Sequence, residues 1–96
     1  MKLEYSKLAV HDLRKVAEDS RAFGEAAAKS IEACIREVLA RIIDHPEAAA
    51  RVIERPGVRV IPLIRYPYKI FYRVFENRVR VLHIRHVSRR PWTRER

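Results

Sequence analysis

Apolar residues recur at helical spacing in two segments of the N-terminal half of the chain. In the first segment they are Val10, Leu13, Val16 and Ala17. Ser6 precedes this segment as a favourable N-cap residue, so we predict a first helix over residues 7–19. In the second segment the apolar stripe is longer and comprises Ala27, Ile31, Cys34, Ile35, Val38, Leu39, Ile42 and Ile43. We predict that this second helix ends near Asp44–His45, because Pro46 disfavours helical backbone in the residue before it.

The C-terminal half changes to the two-residue alternation that is typical of β-strands. The candidate strands in this half are residues 58–64, 68–75 and 78–87. A further candidate strand, residues 2–5, lies near the N-terminus. Pro62 cannot donate a hydrogen bond, so its strand lies at a sheet edge or contains a bulge. In the last strand the alternation changes phase at Leu82, which indicates either burial on both faces or a bulge.

Two helices joined by a short turn form a hairpin with one apolar side, and that side requires a sheet to cover it. We therefore predict an α+β fold in which an N-terminal helix hairpin packs on a small, mostly antiparallel sheet of three to four strands. The element order is β-α-α-β-β-β. The 96 residues form one domain over residues 1–96, with a basic tail over residues 88–96.

Charge separates the two halves of the chain. Residues 1–54 carry 9 Lys and Arg against 10 Asp and Glu, whereas residues 55–96 carry 12 against 2. Arginine outnumbers lysine 16 to 5, and its planar guanidinium suits contact with phosphate or carboxylate. The basic half therefore predicts a surface for nucleic acid or an acidic protein, with a merely solvated face as the alternative.

Several classes of chemistry do not fit the residues present. The only glycines, Gly24 and Gly57, cannot form a glycine-rich phosphate loop. The four histidines lack metal-ligand spacing, and the single cysteine, Cys34, lies on an apolar stripe as a structural thiol. No apolar run reaches the length of a membrane span, and the N-terminus lacks a secretory core. We therefore expect a cytoplasmic protein without a metal, a cofactor or a membrane partner.

Cations and one imidazole gather on the predicted central strands. Lys69 and Arg73 project from the same side of one strand, away from Ile70 and Tyr72. If the helices cover the Ile70 side, both cations lie on the open face of the sheet. Sheet twist is expected to bring further basic residues, and aromatic residues able to stack on bases, to the same surface: Arg59, Arg85, His86, Arg89, Arg90, Tyr68, Phe71 and Trp92.

Such a surface suits cleavage of a phosphodiester bond in RNA, where the 2′-hydroxyl attacks the adjacent phosphate. Cations would stabilise the negative charge that develops, and His86 would transfer a proton because imidazole titrates nearest neutrality. The alternatives are an interfacial histidine without a catalytic role at His86, and a solvated strand face at Lys69 and Arg73.

Two motifs, in this order and spacing, carry a family resemblance. Residues 68–74 read YKIFYRV, and residues 84–91 read IRHVSRRP. Together with the helix hairpin before them, they resemble the corresponding segments of the RelE/ParE toxins of bacterial type II toxin–antitoxin systems. The resemblance extends from Tyr5 to Trp92 and therefore covers nearly the whole chain.

The resemblance implies a toxin that arrests growth, is neutralised by a cognate antitoxin, and contacts operator DNA only through that antitoxin. One branch of the family cleaves messenger RNA in the ribosomal A site. The other branch inhibits DNA gyrase and is associated with plasmid stabilization. The ending from His86 to Pro91 is more similar to the gyrase-directed, ParE-like branch, which we favour. Outside the family, the alternative is a nucleic-acid-binding module without toxicity.

The two branches imply different functional residues. For a metal-independent, ribosome-dependent endoribonuclease, the implied catalytic residues are Lys69, Arg73, His86 and Arg89. Lys69 stands where such enzymes usually have arginine, and the tail lacks the tyrosine that some of them use. For gyrase inhibition, the predicted target contacts are Arg59, Arg85, Arg89, Arg90 and Trp92.

Overall fold

The computed structural model describes residues 1–88, which form two helices and five strands. The helices are α1 (Lys7–Arg21) and α2 (Glu25–Asp44). The strands are β1 (Lys2–Tyr5), β2 (Ala50–Arg51), β3 (Val58–Pro62), β4 (Tyr68–Val74) and β5 (Arg78–His86). The predicted α+β fold is confirmed, and the two-residue strand β2 enlarges the sheet from the expected three or four strands to five.

The helices begin and end at recognisable sequence signals. The Ser6 hydroxyl oxygen accepts a hydrogen bond from the Ala9 N–H at 3.0 Å, which confirms Ser6 as the N-cap of α1. Helix α1 continues to Arg21 rather than ending at residue 19. Gly24 then separates the helices with a φ of 105°, a conformation that favours glycine. Among residues 1–88, no helix combines the length and apolar character needed to cross a membrane.

The five strands form one sheet in the order β1-β5-β4-β3-β2. Neighbouring strands are antiparallel except for β1 and β5, which run parallel and pair Lys2 with Arg78 and Tyr5 with Val81. Pro62 ends β3 beyond the residues that pair with β2, so it needs no N–H donor on that side. The sheet therefore places the first strand of the chain beside the last.

A β-bulge explains the change of phase in β5. Tyr72 and Phe71 are adjacent on β4, but their partners on β5 are Val81 and His83. Leu82 therefore has no partner on β4, as expected for the extra residue of a bulge. The bulge turns His83 to the face opposite Tyr72. Of the two explanations that the sequence leaves open, the bulge is the correct one.

Both helices pack on one face of the sheet, here called the covered face, and the core lies between them. Its buried apolar residues are Ala9, Val16, Ile31, Ile35, Val38, Leu39, Ile42, Leu63, Ile70, Tyr72, Val79, Val81 and Ile84. The opposite face is called the open face, because no helix of residues 1–88 packs against it. The prediction that Ile70 and Tyr72 face the helices, while Lys69 and Arg73 face away, is confirmed.

Candidate functional site

Basic side chains of β4 and β5 lie side by side on the open face. Lys69 pairs with Arg85 across the two strands, and Arg73 pairs with Arg80. Residues directly opposite each other in antiparallel strands point to the same face, with Cβ atoms about 5 Å apart. Lys69 is exposed, and Arg73 and Arg85 are half-buried. We call Lys69, Arg73 and Arg85 the cationic cluster.

Glu4 of β1 balances the charge at the other end of the open face. Its Oε1 atom accepts hydrogen bonds from Arg78 Nε at 3.0 Å and from Arg80 Nη1 at 3.4 Å. Arg78 also lies over the Phe75 ring, with 4.2 Å between its guanidinium carbon and the ring centroid. Through these contacts, Arg78 and Arg80 of β5 bind Glu4 of β1 and so join the two strands. The cationic cluster is the part of the open face that Glu4 does not reach.

Arg73 packs against the turn that precedes β3. Its Nη2 atom donates to the Pro56 carbonyl oxygen at 3.4 Å. Gly57 approaches so closely that a Cβ at this position would lie 2.9 Å from Arg73 Nη1. Gly57 also has a φ of 84°, which side chains of L-residues rarely adopt. The turn thus requires glycine and holds one member of the cationic cluster in place.

Arg59 does not join the cationic cluster, and the prediction that it lies on the same surface is wrong. It pairs with Tyr72 and therefore points to the covered face. Its Nη1 atom donates to the carbonyl oxygens of Glu47 and Ala49 at 2.9 and 2.8 Å. These contacts anchor the loop after α2. The β3 sequence VRVIP has apolar residues on both faces, so its alternation does not reveal the side that Arg59 takes.

Tyr72 closes the covered face beside Arg59. Its hydroxyl donates to the Pro46 carbonyl oxygen at 2.8 Å, and the residue is fully buried. Burial raises the pKa of the Tyr72 hydroxyl, and the positive charge of Arg59 offsets part of that rise. The hydroxyl is therefore a neutral donor that ties β4 to the end of α2.

His86 lies on the covered side of the sheet, away from Lys69 and Arg73. It pairs with Tyr68, and the two rings meet edge to face with centroids 5.3 Å apart. Its Nδ1 atom accepts a hydrogen bond from the Ser88 N–H at 3.1 Å and lies 2.6 Å from the Ser88 hydroxyl oxygen. The expectation that His86 shares a surface with the two cations is therefore wrong, because the sheet lies between them.

The aromatic residues predicted to stack on bases are also divided between the faces. Tyr68 lies on the covered side and packs against the core. Phe71 is on the open face but is buried, with 6.2 Å between its ring centroid and that of His83. Three of the predicted contacts lie outside the described residues: Arg89, Arg90 and Trp92. Their roles stay predictions.

Sequence reasoning missed a buried acid that contacts His83. Asp12 of α1 is 9% exposed and His83 is 7% exposed. The Asp12 Oδ2 atom accepts from the Ile84 N–H at 2.9 Å and lies 2.5 Å from His83 Nδ1. On the other side of the ring, Arg85 Nη1 donates to His83 Nε2 at 3.2 Å. One feature of the sequence could have predicted this burial: Asp12 lies on the apolar side of α1, about one turn before Val16.

Among the clefts formed by residues 1–88, two that border α1 differ in their lining. The cleft between the helices has a volume of about 520 Å³ and is lined mainly by apolar residues, among them Leu13, Val16, Ile31, Ile35 and Leu39. The cleft between α1 and the end of β5 has a volume of about 470 Å³ and is lined mainly by polar residues, among them His11, Asp12, Lys15, Asp19, His83 and His86. The apolar cleft lies on the helix side of the sheet, opposite the cationic cluster.

The side chains that bind metals in other proteins are dispersed. Over residues 1–88, no three His, Cys, Asp or Glu residues form a group suited to a metal ion. Cys34 is a half-buried free thiol that packs against the core, in agreement with its predicted structural role.

Comparisons with known proteins connect this geometry to a family. The profile of the family described as the ParE toxin of type II toxin–antitoxin system, parDE, matches residues 3–91. Among solved structures, the chromosomal ParDE toxin–antitoxin system from P. aeruginosa is 27% identical with a TM-score of 0.78. That match covers 92% of this chain and 97% of the other. No curated protein sequence matches the chain.

Two E. coli structures share the fold at lower identity. The intact RelBE toxin–antitoxin complex is 19% identical with a TM-score of 0.66, covering 92% of this chain and 98% of that one. The isolated RelE toxin is 18% identical with a TM-score of 0.66, covering 93% and 86%. These two matches show the shared fold, whereas the ParE profile matches the sequence itself over residues 3–91. The chain therefore belongs to the ParE family of type II toxin–antitoxin systems, as a toxin whose partner is a cognate antitoxin.

Proposed function

We propose that this ParE-family toxin arrests growth by inhibiting DNA gyrase when its antitoxin is absent, and that it serves in plasmid stabilization. The match to the ParE profile over residues 3–91 supports a gyrase-directed toxin over a ribonuclease. The arrangement of the residues predicted for RNA cleavage supports the same choice on independent grounds.

The observation that carries the proposal is the separation of His86 from Lys69 and Arg73. A general acid or base acts within hydrogen-bond distance of the reacting group, directly or through one water molecule. A phosphate held by Lys69 and Arg73 would lie on the open face, whereas His86 lies on the covered side. An imidazole on the far side of the sheet does not reach that phosphate.

His83 is the histidine that does lie on the open face, but its ring is already engaged. Its Nδ1 atom contacts the Asp12 carboxylate, and its Nε2 atom accepts from Arg85. A proton carrier needs one ring nitrogen in contact with the substrate. The contacts of His83 therefore fit a structural role better than proton transfer to RNA.

The cationic cluster suits an acidic protein surface. The guanidinium of Arg85 can bind a carboxylate through two parallel hydrogen bonds, and Lys69 adds an exposed point charge beside it. The basic tail over residues 88–96 follows β5 closely in the sequence and contains Arg89, Arg90 and Trp92. We propose that Arg85 and these three residues contact gyrase, and we omit Arg59 because its guanidinium is bound to backbone carbonyl oxygens.

Ribosome-dependent cleavage of messenger RNA is the second candidate, because the cationic cluster also suits phosphate. Side-chain cations would stabilise the negative charge of the transition state. Such an enzyme would have to take its acid or base from a residue other than His86. This requirement is the reason that the ribonuclease ranks below the gyrase inhibitor.

The cleft between α1 and α2 is the place that we propose for the antitoxin. Its apolar lining suits the apolar face of an amphipathic segment, while charged residues of both helices, including Arg21, Glu25 and Arg36, line the same cleft. We propose that the antitoxin bound in this cleft makes the contacts with operator DNA. The toxin would then contact operator DNA only through its partner.

The proposal is tested by two reactions run in parallel with the purified toxin. In the first, gyrase supercoils a relaxed plasmid; in the second, purified components translate a messenger whose 5′ ends are mapped. We expect the toxin to abolish supercoiling and the antitoxin to restore it, while the messenger stays intact. Cleavage within ribosome-occupied codons, together with normal supercoiling, would replace the proposal with the ribonuclease.

A truncation after Ser88 tests the tail separately. It removes Arg89, Arg90 and Trp92 and retains all the helices and strands that the structure describes within residues 1–88. We expect the truncated toxin to bind the antitoxin with unchanged affinity and to lose inhibition of gyrase. Full inhibition by the truncated toxin would remove the tail from the mechanism.

A further inference from the structure

The edge of β5 changes its partner halfway along the strand. Strand β1 ends at Tyr5, which pairs with Val81, so within residues 1–88 the second half of β5 has no strand on that side. The N-cap residue of α1 and the helix itself supply side chains instead. The Ser6 hydroxyl donates to the Leu82 carbonyl oxygen at 2.8 Å, and the Asp12 carboxylate accepts from the Ile84 N–H. Asp12 therefore stands where the next strand would otherwise supply a carbonyl oxygen.

The same carboxylate begins a chain of hydrogen bonds that passes around the sheet edge to the open face. An arginine can only donate, so His83 Nε2 must accept the hydrogen bond from Arg85. A neutral imidazole then carries its proton on Nδ1, which donates to Asp12. The order is Arg85 to His83 to Asp12, and each link places a donor against an acceptor.

We propose that Asp12 and His83 are positioning residues for Arg85, and that they fix its guanidinium in the orientation that the target binds. This inference rests on the proposed function, because it takes Arg85 as a target contact. His83 lies next to Arg85 on the open face, and Asp12 lies beyond the edge of the sheet on α1. Neither side chain needs to touch the target, because both act through Arg85.

The arrangement requires neutral His83. A protonated imidazole would carry a proton on Nε2 and face the Arg85 guanidinium with a second donor and a second positive charge. The other titratable or charged groups around the ring come from α1, β4 and β5: His11, Asp12, Lys15, Asp19, Tyr68, Lys69, Arg85 and His86. We therefore expect the potency of the toxin to fall as the pH is lowered through the range in which His83 becomes protonated.

Two substitutions of His83 separate its two hydrogen bonds. His83→Asn places an amide near the position of Nδ1, so it retains the donor to Asp12 and loses the acceptor for Arg85. His83→Gln extends its amide oxygen towards the position of Nε2, so it retains the acceptor for Arg85 and loses the donor to Asp12. Both variants remove the imidazole ring, which makes each the control for the other.

The full-length toxin and its variants are titrated into the gyrase supercoiling reaction. We expect the half-inhibitory concentration to rise about tenfold in His83→Asn and by less than about threefold in His83→Gln. Because His83→Asn acts through Arg85, it should add almost nothing to Arg85→Ala in the double variant. The wild type should lose potency relative to His83→Gln as the pH is lowered, because the variant has no imidazole to protonate at this position. Equal potencies of the two variants, or additive losses in the double variant, would overturn the proposal.

Two further readouts do not depend on gyrase. Growth arrest after induction without antitoxin is scored for the same variants, and it should follow the same order whatever the target is. Nitrogen chemical shifts of His83 in the free toxin at pH 7.5 report its tautomer, which we expect to be protonated at Nδ1. Protonation at Nε2 would overturn the proposal. Failure of the wild type to inhibit gyrase, with the order in growth arrest retained, would overturn the target alone.

Discussion

The two faces of the central sheet use the same types of residue for different purposes. On the covered face, Arg59 donates to two backbone carbonyl oxygens and Tyr72 donates to a third. On the open face, Arg78 and Arg80 share the carboxylate of Glu4. The cationic cluster lies on the same open face but out of reach of Glu4. The role of a basic residue in this protein therefore depends on which face of the sheet the residue occupies.

The difference shows how a small toxin can be strongly basic and still fold. Cations that are withdrawn from water need hydrogen-bond partners, and the half-buried Arg59 finds them in backbone oxygens. Exposed cations contribute little to stability, so their number and position are free to suit a target. We expect substitutions on the covered face to change the free energy of unfolding, and substitutions on the open face to change activity.

The sharpest test uses two neighbouring residues of β4. Ile70 is fully buried on the covered face, and Lys69 is exposed on the open face. We expect Ile70→Ala to lower the free energy of unfolding by about 2–5 kcal/mol, because it leaves a cavity in the core. Lys69→Ala should change it by less than about 0.5 kcal/mol. Urea titration of both variants checks the pair, and equal losses would contradict the division into two faces.

A second pair compares two arginines. Arg59→Met removes the donors to Glu47 and Ala49 while keeping an apolar stem, and we expect a loss of about 1–3 kcal/mol in the free energy of unfolding. Arg80→Met removes a half-exposed contact with Glu4 and should cost about 0–1 kcal/mol. Chemical denaturation measures both values. A larger loss in Arg80→Met than in Arg59→Met would show that the anchoring role belongs to the open face.

Gly57 tests the link between the turn and the cationic cluster. Gly57→Ala introduces a Cβ 2.9 Å from Arg73 Nη1 at a backbone φ of 84°. We expect a loss of about 1–2 kcal/mol in the free energy of unfolding, from backbone strain and displacement of Arg73. Gly24→Ala is the matched control, because Gly24 also has a positive φ but no atom within 4 Å of the added Cβ. If displacement of Arg73 matters, Gly57→Ala alone should also change activity.

The smallest expected effect is the pH dependence of Tyr72. Its pKa in the folded state is raised by burial above the usual value of about 10. The stability that the hydroxyl contributes is therefore fully present below that value and is lost as the pH rises through the folded-state pKa. We expect Tyr72→Phe to be about 1 kcal/mol less stable than the wild type at pH 7, from loss of the bond to Pro46. The gap should close above pH 10, and a constant gap would contradict this origin.

The local signals in the sequence predict most of the fold. Ser6 and Pro46 mark helix ends because an N-cap and a proline act on backbone groups within a few residues. The alternation in β4 predicts which of Ile70 and Lys69 faces the helices, because one side of that strand is apolar and the other carries charge. These features depend on neighbours along the chain, which a sequence displays directly.

The candidate site is less predictable, because it depends on strand pairing. The bulge at Leu82 sets the face of His83 and His86, and it is defined by the register between β4 and β5. The contact between Asp12 and His83 joins residues 71 positions apart. Arg59 lies on a strand whose two faces are both apolar. In each case the decisive partner is distant in sequence, so alternation alone does not identify it.

The parallel pairing of β1 with β5 has a consequence for how the toxin is made. Lys2 pairs with Arg78, so the first strand has no partner until nearly the whole chain has been synthesised. At ordinary rates of synthesis, a chain of this length takes about 5–20 s to make. During that interval the helix hairpin is present without its sheet, and contacts between distant residues are the slowest to form. The five-stranded sheet can therefore reach its final strand order only after β5 has been synthesised, so the fold is completed late in translation.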